Sequence, residues 1–333
     1  MSAQSVPKVP VLRTMLDDHF DLRELSRVLA LDDERGLALA RRVLHPPVAD
    51  MVARPGKEVR ARLVEHAFSI ARAAAPCTCA HLPPELPQIV EMLHAGSLVI
   101  DDIEDEATTR RGAPALHRTW GLPIALNAGN WMYFWPLVVL SSLPLEQRAA
   151  LAMHRRVANT LIRCHQGQAL DLALRIDTLA QEDVAAAVSA TTRLKTGSLL
   201  ELACGLGAIA AHASPDVERA LATFGREVGV ALQMFDDLSG IISPSRKNKG
   251  LEDLAASRPT WPWAWLAEEL DAPSFRALQR ASIETLRGHL GPRLRRKPRE
   301  QLDRALQELR LAIPHVSIAS LERDVRTLEH AYA

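Results

Sequence analysis

The chain has 333 residues, with 40 Lys and Arg balancing 40 Asp and Glu, and 47% of it is apolar. A formal charge of zero argues against a general nucleic-acid binder, and the apolar content suffices for a substantial core. The opening MSAQSVPKVPVLRTMLDDHF lacks the apolar centre of a secretory signal, and no apolar run approaches the ~20 residues of a spanning helix, so a soluble cytoplasmic protein is expected.

Ala, Leu, Arg and Glu dominate, and β-branched or aromatic alternation is rare, which leaves little support for strands. Apolar residues recur at helical spacing over Leu22 to Ala30, Val59 to Ala75, Leu86 to Ile103, Leu145 to Arg175, Val184 to Ala211, Pro215 to Leu238 and Gln301 to Leu311. Helix stops are expected at LHPPVAD, HLPPELP, RRGAP, HASPD, SPSRKNKG and RGHLGPRLRRKPRE. The basic RLRRKPR at 293–299 reads as a solvated turn between helices. Cys77, Cys79, Cys164 and Cys204 show no paired metal-ligand spacing and read as incidental or buried thiols. No composition shift divides the chain, so residues 1–333 are expected to form one all-helical domain.

The stretch SLVIDDIEDEATTRRGAPALH carries the chemistry. On a helix, His94, Ser97, Asp101 and Asp105 fall on one stripe with Asp102 beside them. Carboxylates at i and i+4 can share hard divalent cations, and magnesium favours one or two carboxylates completed by substrate phosphates. Arg110 and Arg111 follow, with planar forks that suit phosphate oxygens, so metal and arginine together make a diphosphate clamp. A solvated acidic helix end accounts for the same charges. Gly56-Lys57 precedes a helix, with Arg60 one turn on, a pattern for an anion site or an ordinary surface helix start. Lys195 and Thr196 lie mid-helix before Gly197, where close backbone approach or a kink would explain the glycine. Asp236 and Asp237 close another apolar helix, with Gln233 one turn earlier; the two acidic pairs are expected to face one cavity.

In this combination, from about Pro55 to Pro262, the chain resembles the trans-isoprenyl diphosphate synthases, or polyprenyl synthetases. Asp101-Asp102-Ile103-Glu104-Asp105 matches that family's first aspartate-rich motif, DDxxD, and TTRRGAPALH its arginine pair. Gly56-Lys57-Glu58-Val59-Arg60 resembles its GK-x-x-R element, with His94 in place of its isopentenyl-site histidine. CHQGQALDLAL resembles its GQ-x-x-D helix through Gln168 and Asp171, and LKTGSL its KTG element. Departures stand beside these matches. The second motif reads Asp236-Asp237-Leu238-Ser239-Gly240 and lacks its last carboxylate. The loop beyond it is shortened, leaving Lys247 or Lys249 for the usual lysine and Arg258 for a second one. Glu58, Ala61 and Asn130 replace residues that are commonly basic, proline and aspartate.

The resemblance implies an isoprenoid synthase fold, a single helical bundle around a central cavity, working as a homodimer. It implies head-to-tail condensation of isopentenyl diphosphate with an allylic diphosphate. Three magnesium ions are implied, two on Asp101 and Asp105 with Asp102 nearby, and a third on Asp236. Arg110, Lys195, Thr196, Gln233 and a loop lysine, Lys247 or Lys249, would serve the allylic diphosphate, and Lys57, Arg60, His94 and Arg111 the isopentenyl diphosphate. Product length is expected to depend on Gly96, which would permit a longer chain, and on Trp131 or Phe134 as a floor. Two rival readings follow from the degraded second motif: a terpene synthase cyclising one prenyl diphosphate, and a non-catalytic partner subunit.

Overall fold

The computed structural model describes residues 11–75, 81–279 and 281–330, so that Cys77 and Cys79 lie outside the described residues, as do the side chains of Lys247 and Lys249. The described residues are almost wholly helical, and their one sheet is a two-stranded ribbon, Thr109–Arg110 against Ala113–Pro114. Contacts divide the chain into two compact units, Met1–Arg62 with Leu82–His154, and Leu63–His81 with Arg155–Ala333.

The first unit is organised by the helices Leu86–Glu104 and Leu122–Ser142. Glycines set their separation. A Cβ on Gly96 would stand 2.8 Å from Met132 Cβ and 2.9 Å from Gly129 O, and one on Gly129 would stand 2.8 Å from Ile100 Cδ1. Real Cβ atoms do not approach so closely, so both glycines let the helix surfaces interlock. Gly96 therefore has a role in helix packing beside the part in product length that the sequence suggests.

The second unit is built on the long helix Pro215–Ile242, which begins as HASPD predicts: Ser214 Oγ accepts from Val217 N, and Pro215 occupies the first turn. Met234, Leu238 and Ile241 on this helix join Trp263, Trp265, Phe275, Ile283 and Leu286 in one buried cluster. Val184 to Ala211 folds as two helices, Gln181–Thr192 and Ser198–Ala210, joined by one π-helical turn, Arg193–Gly197.

Helices stop where expected at SPSRKNKG, after Ile242, and within RGHLGPRLRRKPRE, after His289, but three stretches are more helical than the sequence suggests. Glu34–Ala53 runs through Pro46 and Pro47, Pro292–Ala312 runs through Pro298, and Lys247–Ala255 is helical where a loop was expected. An interior proline costs about 3 kcal/mol. Burial of Val48, Met51 and Val52, at about 2 kcal/mol each, offsets the two prolines of the first case. In the second, Pro298 itself belongs to the buried stripe Leu294, Pro298, Leu302, Leu306 and Leu309. The basic run 293–299 is thus the first half of a helix, and its Lys297 Nζ donates to Glu268 Oε2 at 3.2 Å.

Candidate active site

In the first unit the Leu86–Glu104 helix ends on its own acidic run. Asp105 is the C-cap, its N–H donating to Asp101 O at 2.9 Å. Asp101 and Asp105 are half-buried, whereas Asp102 is only 1% exposed. The difference is geometric, since one residue along a helix turns a side chain by about 100°. Asp102 Oδ1 accepts from Arg110 Nε at 2.7 Å and from Arg110 Nη2. Burial raises the Asp102 carboxyl above its ordinary value, and the Arg110 guanidinium opposes that rise. Asp102, expected beside the metal, is here the residue that holds Arg110, and Arg110 Nη2 also lies 3.8 Å from Asp101 Oδ2.

The arginine pair is presented by the two-stranded ribbon. Arg111 and Gly112 form its turn with φ of 53° and 79°, both in the left-handed region, as a type I′ hairpin requires. Arg54, buried and missed by the sequence reading, fixes the ribbon: Arg54 Nη1 donates to Arg110 O at 3.2 Å and Arg54 Nε to Asp50 Oδ1 at 3.1 Å.

Arg111 reaches the glycine element. A Cβ on Gly56 would stand 3.4 Å from Arg111 Nη1, so the glycine leaves the guanidinium lying along the backbone. His94 is surrounded by Arg60, Arg111 and Arg110; burial first, and then these charges, hold its imidazole well below the ordinary value. His94 is consequently neutral, with one N–H to donate. Burial and the nearby Arg60 and Arg110 likewise lower Arg111, against the opposing charge of Glu91. Lys57 is exposed, next to Gly56 in the chain. The structure thus brings Gly56, Arg60, His94 and Arg111 together. It also changes the helix-start argument, because Glu91 Oε1 already accepts from Arg60 N at 3.0 Å and Ala61 N at 3.1 Å. Anion binding there falls to the side chains.

Of the two residues expected to floor a tunnel, Trp131 packs in an aromatic cluster, 5.3 Å from Phe20 and 5.8 Å from Trp135 between ring centroids. Phe134 is 64% exposed and shares an outward stripe with Leu122 and Leu126.

In the second unit, Lys195 Nζ donates to Asp171 Oδ2 at 2.6 Å, and Arg258 Nη1 lies 3.9 Å from the same oxygen. Lys195 sits in the π-helical turn, whose widened ladder is closed by Ser198 Oγ donating to Arg193 O at 3.1 Å. Close backbone approach explains Gly197: a Cβ on the facing Gly229 would stand 2.8 Å from Gly197 Cα. From Thr196 a chain of hydrogen bonds runs to the second acidic pair. Thr196 Oγ1 donates to Gln233 Oε1 at 2.9 Å, Gln233 Nε2 to Asp237 Oδ1 at 2.8 Å, and Trp261 N to Asp237 Oδ2 at 3.0 Å. Burial, opposed by those two bonds, pushes the Asp237 carboxyl up to about 7. Asp236 pairs with Arg246, another residue the sequence reading did not single out.

Among the described residues no group of three or more His, Cys, Asp and Glu side chains is arranged to hold a metal. Asp101 and Asp105 still fit magnesium, which takes one or two protein carboxylates and completes its octahedron with water and substrate phosphate. No helix among the described residues is long and apolar enough to cross a membrane. Cys164 Sγ donates to Lys195 O at 3.7 Å, and burial pushes the Cys204 thiol up to about 12.

Solved structures share this fold. The geranylgeranyl pyrophosphate synthase of Lactobacillus brevis superposes with a TM-score of 0.70 at 20% identity, covering 97% of each chain. The Corynebacterium glutamicum enzyme of that name, solved with isoprenyl diphosphate and magnesium, gives 0.70 at 20% identity, again over 97% of each chain. The expected all-α isoprenoid synthase fold is the one adopted. Among curated relatives, Geranylgeranyl pyrophosphate synthase dpasD of Apiospora sacchari is 29% identical over 66% of this chain and 62% of its own length. Geranylgeranyl pyrophosphate synthase AN1592 of Hericium erinaceus is 32% identical over 62% of this chain and 65% of its own. The chain therefore matches a little under two thirds of the length of these relatives. The sequence profile of the family described as polyprenyl synthetase matches residues 41–284, most of the chain and all of the motifs above, and the chain belongs to that family.

Proposed function

We propose that the protein condenses isopentenyl diphosphate with an allylic prenyl diphosphate, head to tail. The observation that carries this reading is the cationic group of Arg60, His94 and Arg111 against Gly56. A synthase that ionises a single diphosphate has no use for a second, metal-free anion site next to its aspartate-rich helix end. The relatives named geranylgeranyl pyrophosphate synthase support the same class of substrate.

In this reading Asp101 and Asp105 would hold magnesium, which when bound would supply charge neutralisation for the departing allylic diphosphate. Asp102 aims Arg110 at the same developing charge, a term that mutagenesis puts at about 3 kcal/mol for one preorganised donor elsewhere. Lys57, Arg60 and Arg111 grip the isopentenyl diphosphate, with neutral His94 as a hydrogen-bond donor, so that its double bond meets the allylic cation. In the second unit Lys195, Thr196, Gln233, Lys247 and Lys249 are assigned to diphosphate oxygens. We assign the chain one domain, a cytoplasmic location and a homodimeric state, the last supported by the exposed apolar stripe Leu122, Leu126 and Phe134. The third magnesium expected on Asp236 is revised below.

The test is purified full-length protein with magnesium, labelled isopentenyl diphosphate and each allylic diphosphate in turn. Label in a product five carbons longer than the allylic substrate is expected. A hydrocarbon or alcohol from one diphosphate, without label, would establish a cyclase instead.

A further inference from the structure

At the second acidic helix end every carboxylate is already committed. Asp236 Oδ1 accepts from Arg246 Nη2 at 2.6 Å, while Arg246 Nη1 donates to Ser239 Oγ at 3.0 Å. Ser239 Oγ in turn donates to Asp236 O at 2.9 Å, so the guanidinium is fixed to this turn of helix at two points. Asp237 is buried on Gln233 Nε2 and Trp261 N. One turn beyond Asp236, the position of the absent carboxylate is filled by Gly240, and the reason is steric. The Lys247–Ala255 helix comes so close that a Cβ on Gly250 would stand 2.1 Å from Gly240 O, and one on Gly240 3.3 Å from Gly250 Cα. The approach that removes the carboxylate is the same one that brings in Arg246, immediately before that helix.

Magnesium dehydrates reluctantly and needs oxygen ligands at octahedral positions. Here the one carboxylate outside the buried network is bonded directly to a permanent cation in a short charge-assisted bond, a partner that magnesium would have to displace. The donor set of this segment does not fit the metal. We propose that Arg246 stands in for a metal ion at the second motif: Asp236 is a positioning residue for the guanidinium and holds no magnesium. The inference rests on the proposed function for the diphosphate that Arg246 would face, but not for the metal count.

Manganese titrated into the full-length protein with saturating inorganic diphosphate, and counted from the loss of the free-ion electron spin resonance signal, tests this. Asp236→Ala is expected to bind as many ions as the wild type. Arg246→Lys, which keeps a cation on Asp236, is expected to keep the wild-type count, and so is Arg246→Ala with Asp236→Ala. An ion in the wild type that Asp236→Ala removes overturns the proposal, and so does a count lowered in Arg246→Ala with Asp236→Ala. Asp101→Ala serves as the separate control: if it leaves the count unchanged, the metal role of the first motif fails, whatever Asp236 does.

Discussion

The Leu86–Glu104 helix stops at its aspartates, whereas the Pro215–Ile242 helix runs on past its own. Where the helix stops, Asp105 becomes a cap, Asp101 and Asp105 stay half-buried, and the chain turns at once into a ribbon that brings Arg110 back to Asp102. Where the helix continues, Asp237 is drawn into a buried network and Gly240 is pressed against a neighbouring backbone. Similar letters in the sequence thus have different chemical availability. At one helix end Arg110 is held by Asp102 and lies 3.8 Å from Asp101; at the other Asp237 is held by the protein's own donors and Asp236 by Arg246.

That contrast predicts a graded series. The largest effect is expected at the first end: Asp101→Ala or Asp105→Ala should lower turnover by ~10²-fold or more, because each removes a ligand acting on leaving-group charge. Steady-state rates at saturating magnesium measure it, and wild-type rates in either variant would break the contrast. Arg110→Ala comes next. It leaves the buried Asp102 charge without its guanidinium, which should cost about 3 kcal/mol of stability as well as activity. Urea unfolding gives the first number, and a normal midpoint would show that Asp102 has another partner.

At the second end the effects are structural and smaller. Asp237→Ala orphans Gln233 Nε2 and Trp261 N and should cost about 2 kcal/mol. Asp236→Ala, beside it, should leave the unfolding midpoint closer to wild type, since its partner Arg246 is half-exposed. The smallest effect is expected for Gly240→Ala, about 1 kcal/mol, from overpacking against Gly250. Gly240→Asp should cost at least as much and restore no metal site.

Much of the first region is legible in the sequence because its signals are local. The i, i+4 spacing of Asp101 and Asp105 puts them on one stripe, and the turn at Arg111-Gly112 follows from adjacent positions. What the sequence hides is decided by tertiary packing. Whether Asp102 faces metal or Arg110 depends on which side of the helix is buried. Glu91, far from Arg60 in sequence, takes the amides that would have made a helix-start anion site. Pro47 and Pro298 read as stops because the rule against interior prolines is local, and burial on one stripe overrides it. Arg246 was passed over for the lysines beside it, since nothing in SPSRKNKG says which cation a one-turn 3₁₀ segment will lay against Asp236.

The claim that one acidic helix end takes metal and the other takes arginine is tested most directly by crystals grown with manganese and a non-ionising allylic thiolodiphosphate. An anomalous difference map is expected to show manganese beside Asp101 and Asp105, with Asp236 still bonded to Arg246 and no peak next to it. A manganese peak within bonding distance of Asp236, with Arg246 displaced, would contradict the account.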